Sequence, residues 1–319
     1  MPIQHHPINP TLTLNSTHPN HQNIILTRPR TSDAEVTIPA FNHPSIYLNL
    51  TGPPFPYTQE SFDSFFHDVL DKNARIAAAE LWDAKVAEED GHGRRWVEAI
   101  PFPSIREVVV NGEGASEEIF IGLVEFRRRG YVTILEDEER ERLIGINRER
   151  KTGDPKIEWE IGFWLLPTHH NRGIMPAILQ TLLSDFAMPY MNMHTLIGEY
   201  LEYNVASRRV FEKCGFVFEG VTEGVEVIGE GKVRALREFL EREGRGEEGV
   251  RGRVGKGVER DWMGVGKGKG KGKEQECFKG WEVGVGCLRW ERGEVGLKEQ
   301  MKEKDYQRTI HIVNPRDIE

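Results

Sequence analysis

The chain has 319 residues, of which 38% are hydrophobic and 29% are charged, and its formal net charge is −9. This acidic balance argues against a protein that binds nucleic acid over its whole surface, so nucleic acid is not an expected partner. The sequence contains no run of 18 apolar residues and only three scattered cysteines. We therefore expect no membrane-spanning helix, no disulfide framework and no metal site, in a cytoplasmic or nuclear protein.

Composition divides the chain into five parts. Residues 1–22 are polar and interrupted by proline, which predicts a disordered leader. Residues 23–229 carry patterned apolar positions and predict one domain. In residues 230–279 glycine alternates with Lys, Arg or Glu, and little apolar area offsets the entropy lost on ordering, so we expect a low-complexity insertion. Residues 280–294 return to a strand-like alternation, and residues 295–319 form a polar tail.

Two hypotheses account for the glycine-rich tract. A long surface insertion costs little closure entropy, so the tract is compatible with folding of the domain around it. Within it, residues 232–243 repeat apolar positions at helical spacing and predict one isolated helix. The alternative hypothesis is that the tract is an unspliced segment read as coding sequence, which sequencing of the transcript tests.

The elements predicted within residues 23–229 alternate between strands and helices. In chain order they are a strand at 23–31, helices at 31–42 and 58–83, strands at 96–101, 118–129 and 157–166, a helix at 172–187, a strand at 194–203, a helix at 205–214 and a strand at 216–221. This alternation predicts the α/β or α+β fold class.

The junction between the strand at 157–166 and the helix at 172–187 carries the densest chemical signal. A helix start presents unpaired backbone N–H groups and the positive end of the helix dipole, which together favour an anion. Gly173 allows close approach to the backbone, Arg172 adds a positive charge, and Pro176 lies in the first turn, where its missing N–H costs little. A tight turn with a solvated arginine would show the same residues.

Three neighbouring motifs decide between these interpretations. They are EIGFW at 160–164, RGIM at 172–175 and NVASRRVFEKCGF at 204–216. Together they resemble the GNAT superfamily of acetyl-CoA-dependent N-acetyltransferases, and within it the branch that acetylates the N-termini of ribosomal proteins. The resemblance extends over residues 23–228 and implies a GNAT-like twisted mixed sheet flanked by helices, with a last strand near 284–292.

The resemblance also implies where acetyl-CoA binds. The pantetheine arm would pair with the backbone at the end of the fourth strand of the family, here Trp164, Leu165 and Leu166. The pyrophosphate would lie on the following loop and helix start, here His170, Arg172, Gly173, Ile174, Met175 and Pro176. Asn204 and Ser207 would contact the cosubstrate at the next helix start, although capping of that helix explains Asn204 equally well.

Two of these positions depart from the family pattern. His170 stands where the family usually has Gln or Arg, and it either donates a hydrogen bond to phosphate or is a neutral surface histidine. Met175 stands where the family usually has Gly or Ala, and its bulk would make its N–H harder for phosphate to reach. Both departures lower the affinity for acetyl-CoA that we expect.

The catalytic assignment departs from the family as well. Phe211 occupies the position of a tyrosine that protonates the leaving thiolate in many GNAT enzymes, so Ser207 or a water would serve, or the thiolate would leave unaided. Glu160, on the strand beside the expected acceptor, is the candidate base that takes the proton of the amine. A solvated carboxylate is the alternative for Glu160.

The predicted function is transfer of an acetyl group from acetyl-CoA to a primary amine by direct attack in a ternary complex. The acceptor is a peptide N-terminus, a lysine or a small molecule, and we expect residues 58–83 and a loop at 127–156 to select it. The alternative is a GNAT scaffold that binds acyl-CoA or a partner protein without turnover. Phe211, Met175 and His170 favour this alternative.

Overall fold

The computed structural model describes residues 2–110, 112, 114–242, 258–262 and 278–293. The predicted polar tail at 295–319 lies outside the described residues. So do residues 243–257 and 263–277, which make up most of the predicted low-complexity insertion.

Ten strands in the described part of the chain form one sheet. Their bounds are β1 Ile3–Gln4, β2 Thr11–Thr13, β3 Ile24–Thr27, β4 Ser104–Val110, β5 Ser116–Arg128, β6 Glu158–Leu165, β7 Thr195–Leu201, β8 Val217–Ile228, β9 Val258–Trp262 and β10 Phe278–Glu291. The strand order is β1-β2-β3-β4-β5-β6-β7-β10-β8, with β9 paired to one end of β10. The pair β6–β7 is parallel, whereas the other described pairs are antiparallel.

Nine α-helices are described. Their bounds are α1 Ala34–Phe41, α2 Pro44–Tyr47, α3 Gln59–Phe65, α4 Asp71–Glu89, α5 Asp137–Glu149, α6 Ile174–Leu182, α7 Met188–Tyr190, α8 Val205–Lys213 and α9 Glu230–Arg242. Short π-helical segments continue α3 over Phe66–Leu70 and α6 over Leu183–Ala187. In the described part of the chain, none of the helices combines the length and apolar character that crossing a bilayer requires.

Helices cover both faces of the sheet, and β6 shows why. Its side chains alternate, so Trp159, Ile161 and Leu165 enter the largest core cluster, to which α4, α6 and α8 also contribute. Trp164 points to the opposite face, where its ring meets Phe41 of α1 at 5.1 Å between centroids. A mixed sheet flanked by helices confirms the predicted fold class.

The N-terminal residues differ from the prediction of a disordered leader. Strand β2 pairs with β3, and β1 pairs with β2, so the leader extends the sheet at this edge. Ile3 and Leu12 are buried in the largest core cluster, and their burial supplies the apolar area that the composition of residues 1–22 as a whole did not indicate.

Two internal segments also differ from prediction. Residues 96–101 are irregular and not a strand, although Val97 and Ile100 are buried. The predicted loop at 127–156 contains helix α5, whose first turn carries three acidic residues that suit the positive end of the helix dipole.

Helix α9 is part of the domain and not the isolated helix expected within the insertion. Its buried residues Val233, Leu236 and Leu240 share a core cluster with Leu201 of β7 and Val285 of β10. The segment 280–294, predicted as the final strand, falls largely within β10, which lies between β7 and β8. The described end of the domain therefore extends beyond residue 229.

The packing of α9 gives a prediction for stability. Leu236→Ala removes a side chain that is 0% exposed, so we expect the free energy of unfolding to fall by about 2–5 kcal/mol. Arg237→Ala, one residue further on the exposed side of the same helix, should change it by less than about 0.5 kcal/mol. Urea denaturation measures both values, and equal effects of the two substitutions would contradict the packing of α9.

Candidate functional site

The two parallel strands, β6 and β7, separate before either strand ends. The register pairs Glu158 with Thr195 and ends at the pair of Glu160 with Ile197. Strand β6 nevertheless continues to Leu165 and β7 to Leu201. Among the described residues, no strand pairs with β6 on this side beyond Glu160, so a gap opens between the carboxyl ends of the two strands.

A cleft of about 610 Å³ contains this gap. On the face covered by α8, Phe163, Asn204, Ser207 and Phe211 line it. The opposite face is lined by residues of α1, α3 and the segment between α2 and α3, and by the charged side chains that β5, β6 and β7 direct into the cleft. The cleft therefore passes through the sheet where the strands separate.

Helix α6 follows β6 after a short loop and begins at a glycine in the left-handed region. Gly173 is the N-cap residue and has φ +74°, a conformation that residues with a side chain rarely adopt. The first backbone N–H groups of a helix have no partner within the helix, and Pro176 removes one of them at no cost. Ile174 and Met175 are buried in the core, so the bulk of Met175 points away from the helix start.

Arg172 points away from the helix start and pairs with a carboxylate of β4. Its Nη2 atom lies 2.5 Å from Glu107 Oε1, and His169 Nε2 lies 3.0 Å from the other oxygen. The hydrogen bond from Arg172, more than that from His169, lowers the pKa of Glu107 to about 2. The sequence indicated the positive charge but not its partner, which lies 65 residues earlier in the chain.

The end of β6 is held by hydrogen bonds. His170 Nε2 donates to the carbonyl of Leu165 at 2.9 Å, and the N–H of Leu166 donates to the carbonyl of Ile121 at 2.8 Å. The ring of His170 is thus engaged with the strand end, and the N–H of Leu166 is engaged with β5. Trp164 and Leu165 are buried, and Leu166 packs against the core from a partly buried position.

A residue of the N-terminal segment supports the loop before α6. His21 Nε2 donates to the carbonyl of Arg172 at 3.0 Å, and Ser16 Oγ lies 2.9 Å from His21 Nδ1. The ring lies 3.3 Å from the point where a Cβ on Gly173 would be. Sequence reasoning missed this contact because it treated residues 1–22 as a disordered leader.

Asn204 caps α8 on the opposite side of the gap. Its Oδ1 atom accepts a hydrogen bond from the N–H of Ser207 at 3.2 Å, and both residues line the cleft. Phe211, one helical turn later, is 1% exposed, and its ring lies 2.7 Å from the point where a Cβ on Gly198 would be. Only a glycine at position 198 therefore allows Phe211 to lie this close to β7.

Glu160 lies on the face of the sheet opposite α8 and is fully engaged. One carboxylate oxygen accepts from Arg127 Nε, and the other accepts from the N–H of Gly130 at 2.8 Å. Glu125 also pairs with Arg127, at 3.1 Å. Arg127 therefore pairs with two carboxylates at the same point of the cleft, and the three ionised side chains together keep one net negative charge.

Glu199 of β7 is a carboxylate that the sequence reasoning missed. It lines the cleft with its side chain 14% exposed, and its Oε1 atom lies 3.5 Å from Arg129 Nη2 without making a hydrogen bond. Burial and then the charge of Glu160 raise the pKa of Glu199 to about 7. Its signal in the sequence was a glutamate within the otherwise apolar strand at 194–203.

Comparison with known proteins identifies the family. A family model described as an acetyltransferase (GNAT) domain matches residues 23–217, whereas no curated protein matches this chain. One similar solved structure is the microcin C7 self-immunity acetyltransferase in complex with acetyl-CoA and AMP. It is 12% identical with a TM-score of 0.40, and the match covers 85% of this chain and 94% of that chain.

Two further solved structures are similar at the same level. Mycobacterium smegmatis RimJ, in complex with CoA-disulfide, is 13% identical with a TM-score of 0.39 and coverages of 85% and 83%. Spermidine N-acetyltransferase from Vibrio cholerae, in complex with CoA and spermine, is 13% identical with a TM-score of 0.39 and coverages of 85% and 96%. The family match confirms the resemblance found in the sequence: the chain belongs to the GNAT acetyltransferase family and is an acyltransferase that uses acetyl-CoA as its cosubstrate.

Proposed function

We propose that this acetyltransferase transfers the acetyl group of acetyl-CoA to a primary amine by direct attack in a ternary complex. The observation that carries the proposal is the gap between β6 and β7: the chain leads from the end of β6 through a short loop into the start of α6, and a carboxylate of raised pKa lines the cleft at the gap. Both substrates can therefore meet inside the sheet without a covalent enzyme intermediate.

The residues at the helix start fit a pyrophosphate. Gly173, Ile174 and Met175 offer backbone N–H groups, which bind anions at a helix N-terminus, and Pro176 keeps the first turn in place. Arg172 is already paired with Glu107, so we assign phosphate binding to the backbone and a supporting role to Arg172 and His170. Trp164, Leu165 and Leu166 border the gap that the pantetheine arm would enter, and Asn204 and Ser207 lie across it.

This assignment predicts the effect of a small substitution on cosubstrate binding. Gly173→Ala places a side chain at φ +74° and 3.3 Å from the ring of His21, so the helix start must shift. We expect the Kd of acetyl-CoA, measured by calorimetry, to rise about tenfold, the equivalent of about 1.4 kcal/mol.

Gly215→Ala is the matched control for this substitution. Gly215 has φ +83° at the end of α8, and no atom lies within 4 Å of its potential Cβ. It should therefore lose a similar amount of stability while it leaves the Kd of acetyl-CoA unchanged. Equal effects of the two substitutions on the Kd would contradict a pyrophosphate site at the start of α6.

Glu199 is the base that we assign to the acceptor amine, in place of Glu160. Both oxygens of Glu160 already accept hydrogen bonds, whereas Glu199 Oε1 accepts none in the described structure. A base works best when its pKa is close to the working pH, and the pKa of Glu199 is about 7. In this assignment Glu160 has an indirect role, because its negative charge contributes to the raised pKa of Glu199.

The thiolate that leaves requires a proton source other than position 211. Phe211 has no hydroxyl, and its ring fills the space beside Gly198. Ser207 lines the same wall and carries a hydroxyl, so we assign the proton donation to Ser207, directly or through water. Tyr200 also lines the cleft and burial raises its pKa, but its hydroxyl packs over Gly286 of β10, on the side of β7 away from the gap.

The assignment of the base predicts a pH profile. Below pH 7 Glu199 is protonated and cannot accept a proton, so activity should rise with pH through an acid limb near 7. Glu199→Gln should lower kcat about a hundredfold or more, remove this limb and leave the Kd of acetyl-CoA unchanged.

Glu160→Gln distinguishes the two carboxylates. Loss of its negative charge lowers the pKa of Glu199, so the acid limb should move to lower pH while activity is retained. Initial rates from pH 5 to 9 with both variants test the assignment. Loss of turnover in Glu160→Gln together with retention in Glu199→Gln would make Glu160 the base.

The rival function is a scaffold that binds acyl-CoA without turnover. Phe211 in place of a proton donor and the engaged side chains of His170 and Arg172 favour it. Release of free thiol from acetyl-CoA, measured with and without amines, separates the two functions. Amine-dependent release supports the transferase, whereas tight binding without release supports the scaffold.

A further inference from the structure

We propose that the acceptor is a monoamine with an apolar tail, and not a polyamine or a strongly cationic peptide. The proposal rests on the proposed function and concerns the acceptor side of the same cleft. Two independent features of the cleft support it: the pairing of its charged side chains and the aromatic wall that follows them.

Several of the carboxylates that line the cleft are paired with positively charged side chains. Five carboxylates line it, those of Asp33, Glu125, Glu160, Glu199 and Glu226. Asp33 accepts two hydrogen bonds from Arg106 Nη2, at 2.8 and 2.9 Å, so its charge is neutralised. Glu125 and Glu160 share Arg127, as described above.

The remaining two carboxylates differ from one another. Burial raises the pKa of Glu226, although the positive charge of Lys232 and a hydrogen bond with Thr51 both act in the opposite direction. Glu199 lies 3.5 Å from Arg129 Nη2 and outside hydrogen-bonding geometry, and the charge of Arg127 also acts on it. Among the cleft-lining residues that the structure describes, Glu199 is therefore the carboxylate best placed to receive one amine.

A second ammonium group in the acceptor would meet no comparable partner. At the end of an extended tail it would reach the ring of Phe120, where Asp33 is already paired with Arg106 and the Arg106 guanidinium lies 5.3 Å over that ring. An ammonium that is removed from water without a partner costs several kcal/mol. The cleft thus selects against a second positive charge.

The other end of the cleft is apolar. Six aromatic residues line it, namely Phe41, Tyr57, Phe62, Phe65, Phe120 and Trp164. Several of these rings pack on one another: Phe41 lies 4.8 Å from Tyr57 and 5.1 Å from Trp164, and Trp164 lies 5.7 Å from Phe120, between centroids. They form a continuous surface that we call the aromatic wall.

The spacing along β6 sets the length of the acceptor. Trp164 follows Glu160 by four residues and lies on the same face of the strand, which places their Cα atoms about 13 Å apart. Glu160 is close enough to Glu199 for its charge to raise the pKa of Glu199, so an extended chain of about six to eight bonds would run from an amine at Glu199 to the aromatic wall. The tail is carried either by a free amine or by the first residues of a peptide, and both share this chemistry.

The test compares amines that differ only in the second charge. Heptylamine and 1,6-diaminohexane have the same number of non-hydrogen atoms, and the peptide amides Ala-Phe-Ala and Ala-Lys-Ala form the second matched pair. With the full chain and saturating acetyl-CoA, we expect kcat/KM to be at least about tenfold higher for heptylamine, for Ala-Phe-Ala, or for both, than for the charged member of the pair. The pair with the higher values identifies the source of the tail.

A matched pair of variants tests the wall itself. Phe65 is 36% exposed and lines the cleft, whereas Val69, on the next turn, is 39% exposed and does not. Phe65→Ala should raise the KM of the preferred monoamine about threefold to tenfold without a change in the KM of acetyl-CoA, and Val69→Ala should change neither.

The outcomes separate this proposal from the proposed function. Equal or faster acetylation of the charged partners overturns the monoamine proposal and leaves the transferase intact. Binding of acetyl-CoA without transfer to any of the four acceptors overturns the monoamine proposal and favours the scaffold. Absence of acetyl-CoA binding overturns the proposed function and the acceptor proposal together.

Discussion

The parting of β6 and β7 is the constraint on which the site depends. Each strand is paired along its outer edge, β6 with β5 as far as Leu165 and β7 with β10 as far as Leu201. Their inner edges are paired only at the start, so the unpaired backbone groups beyond Glu160 require other partners. Phe211 packs against Gly198 on one strand and against Phe163 on the other, at 5.6 Å between ring centroids. The buried ring of Phe211 therefore supports the separation of β6 and β7. A phenylalanine at this position has no hydroxyl group.

The two ends of the described chain support opposite sides of the cleft. At the N-terminal end, His21 holds the carbonyl of Arg172 and backs the helix start. At the other end, Lys232 of α9 donates to the carbonyl of Leu50 at 2.7 Å, and Tyr203 donates to the carbonyl of Leu48. The segment that follows Leu50 lines the acceptor side of the cleft. Residues outside the predicted domain of 23–229 thus hold both the loop before α6 and the segment after α2.

The sequence predicted best those elements whose periodicity is dense and local. Helix α6 and strand β6 follow from apolar spacing alone, because neither requires a distant partner to decide which face is buried. The N-terminal strands, and the packing of α9 into the domain, could not be predicted in the same way. Their few apolar residues stabilise these elements only because β3 and the α2 region offer surfaces to pack against. A single sequence does not show which surfaces meet.

The site shows the same division between local and distant information. The cap at Asn204 and the glycine before α6 are local features, and their geometry follows from the residues themselves. The partner of Arg172 and the pKa of Glu199 depend on side chains that other strands supply. Glu160 was predicted as the base because its strand was recognised, yet hydrogen bonds from Arg127 and Gly130 occupy its oxygens.

The surroundings of Glu199 are set by ion pairs that connect β6 and β7. Arg129 follows β5, donates to Glu158 of β6 at 2.9 Å and lies 3.5 Å from Glu199 of β7, so one buried guanidinium bridges the two parallel strands at the point where their pairing ends. Glu199 comes two residues after Ile197, the last paired residue of β7, and therefore stands where the gap begins. Burial and Glu160 raise its pKa while Arg129 and Arg127 oppose the increase, and the balance leaves a carboxylate that exchanges a proton near neutral pH. The separation of the two strands thus also fixes the position of the carboxylate that we propose as the base.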